Sequence, residues 1–239
     1  MLSGYKSSRP YLVEFFGLPG SGKTTVSNLL VVTLKKNGVD VVCRRDLQGW
    51  LAAHSHGFKT WLLAKHAHKV LSLFYLSLQA VGVSGIIFDK ARMSDILSLI
   101  RNSIYLQVYL NHRKPEICLL DQWTIQNLWS IYFSDNPPTN FSGINKVLRY
   151  VSNTPKSLVY FDILPTTATD RIQNRSHGQS RYDNIDKATI SKGVRIGNKV
   201  MTGLRYALPL DEYEILTINA QEEVEKNVEK VYSWISVSR

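Results

Sequence analysis

The sequence predicts an α/β fold, a five-stranded and mainly parallel sheet with helices on both faces. Three observations carry that expectation. Five short, β-rich apolar runs recur along the 239 residues, helical patterns lie between them, and a glycine-rich turn joins the first run to the first helix. Parallel strands need a crossover of a dozen or more residues, usually a helix, so strands alternating with helices point to a parallel sheet covered on both sides.

The elements follow in order. Tyr11 to Phe16 is the first strand, and the first helix is expected from about Lys23 to Asn37, with Gly38 as its stop. Val39 to Cys43 is the second strand. Trp50 to His112 reads as mostly helical and is the least decided part of the pattern. Ile117 to Leu120 is the third strand. Ser134 to Asn145 contains Asp135, Asn136, Pro137 and Pro138 and is expected to be a loop. Leu158 to Ile163 and Glu214 to Ile218 are the fourth and fifth strands. The last helix is expected from about Gln221 to Trp234, with Val224, Val228 and Val231 as its core-facing stripe. With no internal repeat, low-complexity tract or linker, residues 1–239 read as a single domain.

A chain with 44% hydrophobic and 20% charged residues is neither disordered nor fibrous. At this length roughly 70% of the unfolded surface is buried on folding, ample for a core. Lys and Arg number 29 against 19 Asp and Glu, a net charge of +10 that favours anionic partners without choosing among them. Two cysteines, Cys43 and Cys118, can build neither a disulfide scaffold nor a four-ligand zinc site, and are expected to be reduced thiols of a cytoplasmic protein. The N-terminal MLSGYKSSRPYLVEFFG carries no long apolar stretch behind its basic residues, so no secretory signal is expected. Val70 to Phe88 is uncharged and long enough to span a membrane, but it holds Ser72, Ser77, Gln79, Gly82, Ser84 and Gly85. The expectation is a buried helix followed by a turn, with contact to a membrane surface as the alternative.

The most specific signal is Gly17-Leu18-Pro19-Gly20-Ser21-Gly22-Lys23-Thr24, which fits G-x-x-x-x-G-K-[ST] between a strand and a helix. Chance matches in such a chain number on the order of 0.01. Glycines let the backbone curl so that successive N–H groups face phosphate oxygens, and the helix N-terminus adds positive potential. Gly17, Gly20, Ser21, Gly22, Lys23, Thr24 and Thr25 are therefore expected to hold ATP, with Lys23 at the β- and γ-phosphates and the Thr24 hydroxyl on Mg2+. The overall expectation is a three-layer P-loop NTPase fold. Such a loop needs a carboxylate on a neighbouring strand, and Asp121, closing ICLLD, is the candidate for Mg2+; a helix N-cap is its alternative role.

After the fourth strand comes an arginine-rich segment, with Arg171, Arg175 and Arg181. Arg171 and Arg175, four apart, would share one face of a helix. Arginines arriving with a closing loop neutralise the transferring phosphoryl group and exclude water. The alternative is a solvated basic helix end.

From these residues the chain resembles the P-loop nucleotide and nucleoside kinases, the thymidylate-kinase-like group above all. The likeness runs from Tyr11 to Trp234 and is poor from Trp50 to His112. It rests on Arg45-Asp46 after the second strand, on Asp121-Gln122-Trp123, and on Arg171, Arg175, Arg181 and Asp183. It implies an ATP- and Mg2+-dependent kinase of a small-molecule acceptor, with an acceptor-side helical region near residues 50–112 and a lid near 166–186. In thymidylate kinases the second strand ends in Arg-Glu, which helps organise the acceptor phosphate site, and in the related deoxynucleoside kinases a glutamate there serves as base on the sugar hydroxyl; Asp46 falls on that position, as an acceptor-side carboxylate. The third strand ordinarily ends in an acid followed by arginine. Gln122 stands in that arginine's place and cannot supply its charge, which argues against a thymidylate-type acceptor. A nucleotide, a nucleoside or another small metabolite are the expected acceptors; a sugar or lipid-linked glycan, or an ATPase or switch without an acceptor, are the rivals. No N-K-x-D tetrad supports a GTPase, and no helix-turn-helix, zinc-finger or RNP pattern supports nucleic acid as partner. A homodimer is allowed.

Other features carry less. His54, His56, His66 and His68 have no Cys or carboxylate among them and are not read as a metal site. Trp50, Trp61, Trp123 and Trp129 are expected mostly in the core, with Trp123 the candidate for stacking a base. Glu14, in mid-strand, is expected to pair with an arginine.

Overall fold

A computed structural model describes residues 10–81, 89–134, 137, 140–141, 143–151, 156–175, 185–209 and 211–238. The five apolar runs form β1 (Tyr11–Gly17), β2 (Val41–Cys43), β3 (Ile117–Asp121), β4 (Ser157–Asp162) and β5 (Glu214–Asn219). They make one sheet in the order β2-β3-β1-β4-β5, every pair parallel. β1 is buried continuously from Val13 to Gly17, as a strand covered on both faces must be. β5 lies at the edge and alternates less cleanly.

The first helix, α1 (Lys23–Lys36), ends at Asn37 and Gly38 as the sequence predicts. The region around 50–112 is helical: α2 (Arg44–Ala52), α3 (His56–Lys65), α4 (Ala67–Val81) and the long α5 (Lys90–Arg113). Then come α6 (Thr124–Tyr132), α7 (Ile144–Tyr150), α8 (Pro165–Gln173), α9 (Lys187–Ala207) and α10 (Val224–Ser238). The last starts three residues later than its apolar spacing suggests, because Gln221 N–H turns back to the Asn219 side chain at 2.9 Å. Val228 and Val231 face the core.

Phe15, Phe16, Leu30, Leu119, Val159 and Phe161 lie at the centre of the main core. A second cluster, with Val42, Leu47, Leu106, Tyr109, Cys118, Leu120 and Trp123, fills the space under α2 and α5. Cys43 and Cys118 are free thiols. No helix among the described residues is long and apolar enough to cross a membrane. α4 covers the first part of the uncharged segment and is only half-buried. Leu73 and Ser77 face inward, whereas Leu71 is 68% exposed and Tyr75 59%. Residues 82–88 of that segment lie outside the described residues.

Candidate functional site

From β1 the chain crosses to one side of the sheet for β2 and later to the other for β4 and β5. The carboxyl end of β1 is thus the switch point at which parallel sheets bind ligands. The loop from Gly17 to Thr24 occupies that point. Gly20 (φ 81°) and Gly22 (φ 85°) are left-handed. A Cβ at Gly20 would sit 2.9 Å from the Ala168 carbonyl oxygen and 3.2 Å from Ile172, so α8 lies tightly on the loop. A Cβ at Gly22 would meet nothing within 4 Å. Gly22 is the N-cap of α1, which has no side-chain cap and no acid in its first turn, so no side chain claims the N–H groups there.

Lys23 is 4% exposed. Its Nζ folds back to donate to the Gly17 oxygen (2.9 Å), the Leu18 oxygen (2.7 Å) and Ser21 Oγ (3.3 Å). Burial pushes its pKa down to about 7; Asp121 opposes the fall and Arg175 adds to it. Next to it, Thr24 Oγ1 donates to Asp121 Oδ2 at 2.9 Å. Thr25 is exposed on α1. The hydroxyl and carboxylate expected at Mg2+ are therefore brought together, across 97 residues, by the β1–β3 register that sets Phe15 opposite Asp121. Both are hard oxygen donors and fit that ion.

The turn after Asp121 is strained and held from two sides. Gln122 has φ 64°, uncommon for a residue with a side chain. From within, Glu14, fully buried, accepts through Oε1 from the N–H groups of Trp123 (3.2 Å), Ile125 (2.7 Å) and Gln126 (3.4 Å). Glu14 thus meets backbone donors at the start of α6 instead of the arginine expected for it, because β1 runs directly beneath that turn. Its Oε2 is buried without a partner among the described residues. Burial raises the Glu14 pKa to about 8 against the pull of those N–H groups. From outside, Arg44 donates through Nη1 to the Asp121 carbonyl (3.3 Å) and to Gln122 Oε1 (3.4 Å).

The arginines after β4 do not act as one face. α8 ends at Gln173 with Asn174 as its cap, so Arg175 lies beyond the helix and the four-residue spacing no longer aligns it with Arg171. Arg171 donates to the Ala220 carbonyl at 2.9 Å, beyond β5. Arg175 is half-buried, close enough to lower the Lys23 pKa, and its Nε and Nη2 are buried without a hydrogen-bond partner among the described residues. Arg181 and Asp183 lie outside the described residues.

β2 ends at Cys43, so Arg44 and not Arg45 follows the strand; Arg45 is exposed. Asp46, at the third position of α2, spends Oδ2 on the Cys43 N–H (2.8 Å). No hydrogen bond joins it to Lys23, Thr24 or Asp121 among the described residues. Trp123 is 4% exposed and belongs to the second core cluster, so it offers no face for a base. Trp129 is also buried, its Nε1 donating to the Gly197 carbonyl, while Trp50 is half-buried against His54 and Tyr109. Trp61 is exposed, with the Lys65 ammonium over its ring. Arg44 and the turn-holding role of Glu14 are what sequence reasoning misses. Their only signals are a second arginine in CRRD and a lone acid in YLVEFF.

No family model matches the chain, and no curated protein sequence matches it. Among solved structures, the chain is similar to deoxyadenosine kinase from M. mycoides with bound dATP, at 15% identity and a TM-score of 0.51. The match covers 94% of this chain and 99% of that one. The two proteins share their fold, a P-loop α/β architecture, over nearly the whole of both chains.

Proposed function

We propose that the chain is a Mg2+- and ATP-dependent kinase of a small acceptor. A nucleoside or nucleotide is the class favoured by the shared fold with a deoxyadenosine kinase. One observation supports the reading most. Arg175 keeps two buried donors without partners beside Lys23, an ammonium whose charge burial already disfavours. Two cations so arranged at a glycine-rich turn call for an anion with many acceptor oxygens, and a polyphosphate is one.

In this reading the N–H groups of Gly20, Ser21, Gly22 and the first turn of α1 cradle the donor phosphates. Lys23 leaves its carbonyl partners for the β- and γ-phosphate oxygens. Thr24 and Asp121 would hold Mg2+, which would supply charge neutralisation to the donor phosphates. Arg175 meets the charge on the equatorial oxygens of the transferring group. The acceptor oxygen forms the new P–O bond, the bond to ADP breaks, and the acceptor proton leaves to a base. With Oδ2 of Asp46 engaged at Cys43, that duty would fall to its other oxygen.

The test is transfer of label from γ-labelled ATP with Mg2+ to separate pools of nucleosides, nucleoside monophosphates, neutral sugars and a lipid extract. Lys23→Ala is the control and is expected to lose transfer while keeping its fold. Label in one pool that vanishes in the variant supports the kinase and names its acceptor class. Phosphate released to water alone, or turnover that persists in Lys23→Ala, overturns it.

A further inference from the structure

From Leu47 to Phe88 the sequence holds no Asp or Glu, while it carries Lys59, Lys65, Lys69 and four of the six histidines. α3 and α4 are built from this stretch and are parted only by His66. The His66 N–H bonds back to the Leu62 carbonyl at 3.2 Å, and its own carbonyl accepts from the Val70 N–H at 3.1 Å, so helical spacing carries across the joint. Trp61, Lys65, His68, Leu71, Tyr75 and Gln79 then recur at intervals of three and four over about five turns, and every one of them is exposed. The other side of the two helices enters the core through Leu62, Leu73 and Ser77. The exposed stripe is not simply polar: Leu71 shows 68% of its surface, Tyr75 59% and Trp61 53%.

We propose that this stripe is a docking face for the surface of an anionic bilayer, with α3 and α4 lying along the headgroup plane. The side chains suit that boundary one by one. Leu71 enters the acyl edge, while Trp61 and Tyr75 present apolar rings with a polar edge, the form that settles at headgroup depth. The Lys65 ammonium lies over the Trp61 ring at 5.1 Å, and its flexible stem lets the charge reach lipid phosphate as the ring goes in. With no acid from Leu47 to Phe88, nothing in these helices repels an anionic surface. A second copy of the chain fits less well, since a two-fold contact lays the stripe on itself and brings no carboxylate to Lys65. Nucleic acid draws its affinity from several phosphate contacts, whereas the stripe carries a single lysine and gives Leu71 nothing to bury against. The proposal uses no part of the phosphate site and stands apart from the kinase reading.

The test is flotation of the full chain with phosphatidylcholine vesicles, with and without phosphatidylserine, alongside the emission of Trp61, the one exposed tryptophan of the five. Wild type should bind the anionic vesicles about tenfold more tightly than the neutral ones, release them as salt rises, and shift its emission to the blue. Trp61→Phe should remove the shift. Lys65→Glu should weaken binding by about fivefold or more, and Leu71→Ser/Tyr75→Ser by about tenfold or more. Both should keep the wild-type unfolding midpoint, since these side chains are exposed. If the double variant loses its fold, Lys65→Glu, a single change at an exposed position, carries the test alone. The proposal fails if wild type floats with neither vesicle or equally with both, if the shift persists in Trp61→Phe, or if Lys65→Glu binds as wild type does. A wild-type dimer that Leu71→Ser/Tyr75→Ser dissociates would assign the stripe to a second copy. A blue shift with duplex DNA but not with vesicles would assign it to nucleic acid. Either outcome overturns the bilayer.

Discussion

Replacing Glu14 by Gln tests whether burial or the helix N-terminus decides the charge of the residue beneath the Asp121 turn. The side chains are nearly isosteric, and the glutamine oxygen can still accept from the N–H groups of Trp123, Ile125 and Gln126. Its amide would occupy the unpartnered Oε2 position, a fixed cost of about 1–3 kcal/mol at every pH. The pH-dependent part is separate. The Glu14 carboxyl titrates near 8 in the folded chain against 4.5 when unfolded. Below about pH 4.5 both states hold the proton and Glu14 adds no slope. Between 4.5 and about 8 only the folded state holds it, so wild-type stability falls with rising pH by about 1.4 kcal/mol per pH unit. Above about 8 both states have lost it and the slope ends. From pH 5 to 8, Glu14→Gln should therefore gain about 4 kcal/mol relative to wild type. Urea unfolding of both proteins at pH 5, 6, 7 and 8, at constant m-value, reads this directly. A flat difference curve, or one in which Glu14→Gln loses ground as pH rises, refutes the reasoning. Glu14 would then be ionised throughout, its charge-assisted bonds at α6 outweighing burial.

Nucleotide binding should take up protons at neutral pH. The Lys23 pKa lies near 7 in the free protein and a phosphate beside it holds the ammonium charged, so about half a proton is expected per ADP at pH 7. Calorimetry in buffers of different ionisation enthalpy measures the uptake; its absence in wild type, or its persistence in Lys23→Ala, contradicts the assignment. Gly20→Ala should destabilise by about 1–3 kcal/mol, since it combines a left-handed φ of 81° with a Cβ 2.9 Å from the Ala168 carbonyl oxygen. Gly22→Ala carries the conformational cost alone, about 1 kcal/mol, but fills open space at the α1 N-terminus, so it should lose ADP affinity more than stability. Unfolding midpoints and ADP titrations of the two variants separate these effects, and equal losses on both scales would contradict the contrast.

The strands and the glycine-rich turn between β1 and α1 were legible because their signals are local. An apolar run bounded by turn residues needs no knowledge of its neighbours, and G-x-x-x-x-G-K-T between strand and helix is specific by spacing. Asp121 was legible too, since β3 ends there and parallel register does the rest. The misreadings all turn on an end or a face that tertiary contacts decide. β2 ends at Cys43 as expected, but α2 begins at once at Arg44, so Arg44 reaches Asp121 while Arg45 is exposed. Arg171 and Arg175 part company because α8 stops between them. Trp123 is buried because α2 and α5 close over it, which nothing in Asp121-Gln122-Trp123 could announce. Glu14 found backbone donors more than a hundred residues away, a partnership invisible to any local pattern.

What the three cations of the site share explains why the net charge alone said so little. A charge of +10 spread over surface lysines is solvated and binds anions weakly and without selection. Lys23, Arg175 and Arg44 differ in that each is at least half withdrawn from water and none has a carboxylate within ion-pair distance among the described residues. Asp121, the acid that acts on Lys23, is engaged by the Thr24 hydroxyl. Folding thus bears the cost of desolvating charge that no group among the described residues returns in full, and an anion that binds there would relieve it. The same arithmetic fixes the direction of coupling. An anion that satisfies these donors binds the folded chain and not the unfolded one, so it stabilises the fold by RT ln(1 + [L]/Kd), about 2.7 kcal/mol at a hundredfold excess over Kd. On the kinase reading, a site built this way is the locally destabilised part of an otherwise well-packed molecule, and its residues should gain protection on addition of nucleotide while the core around Phe15 and Phe161 does not change.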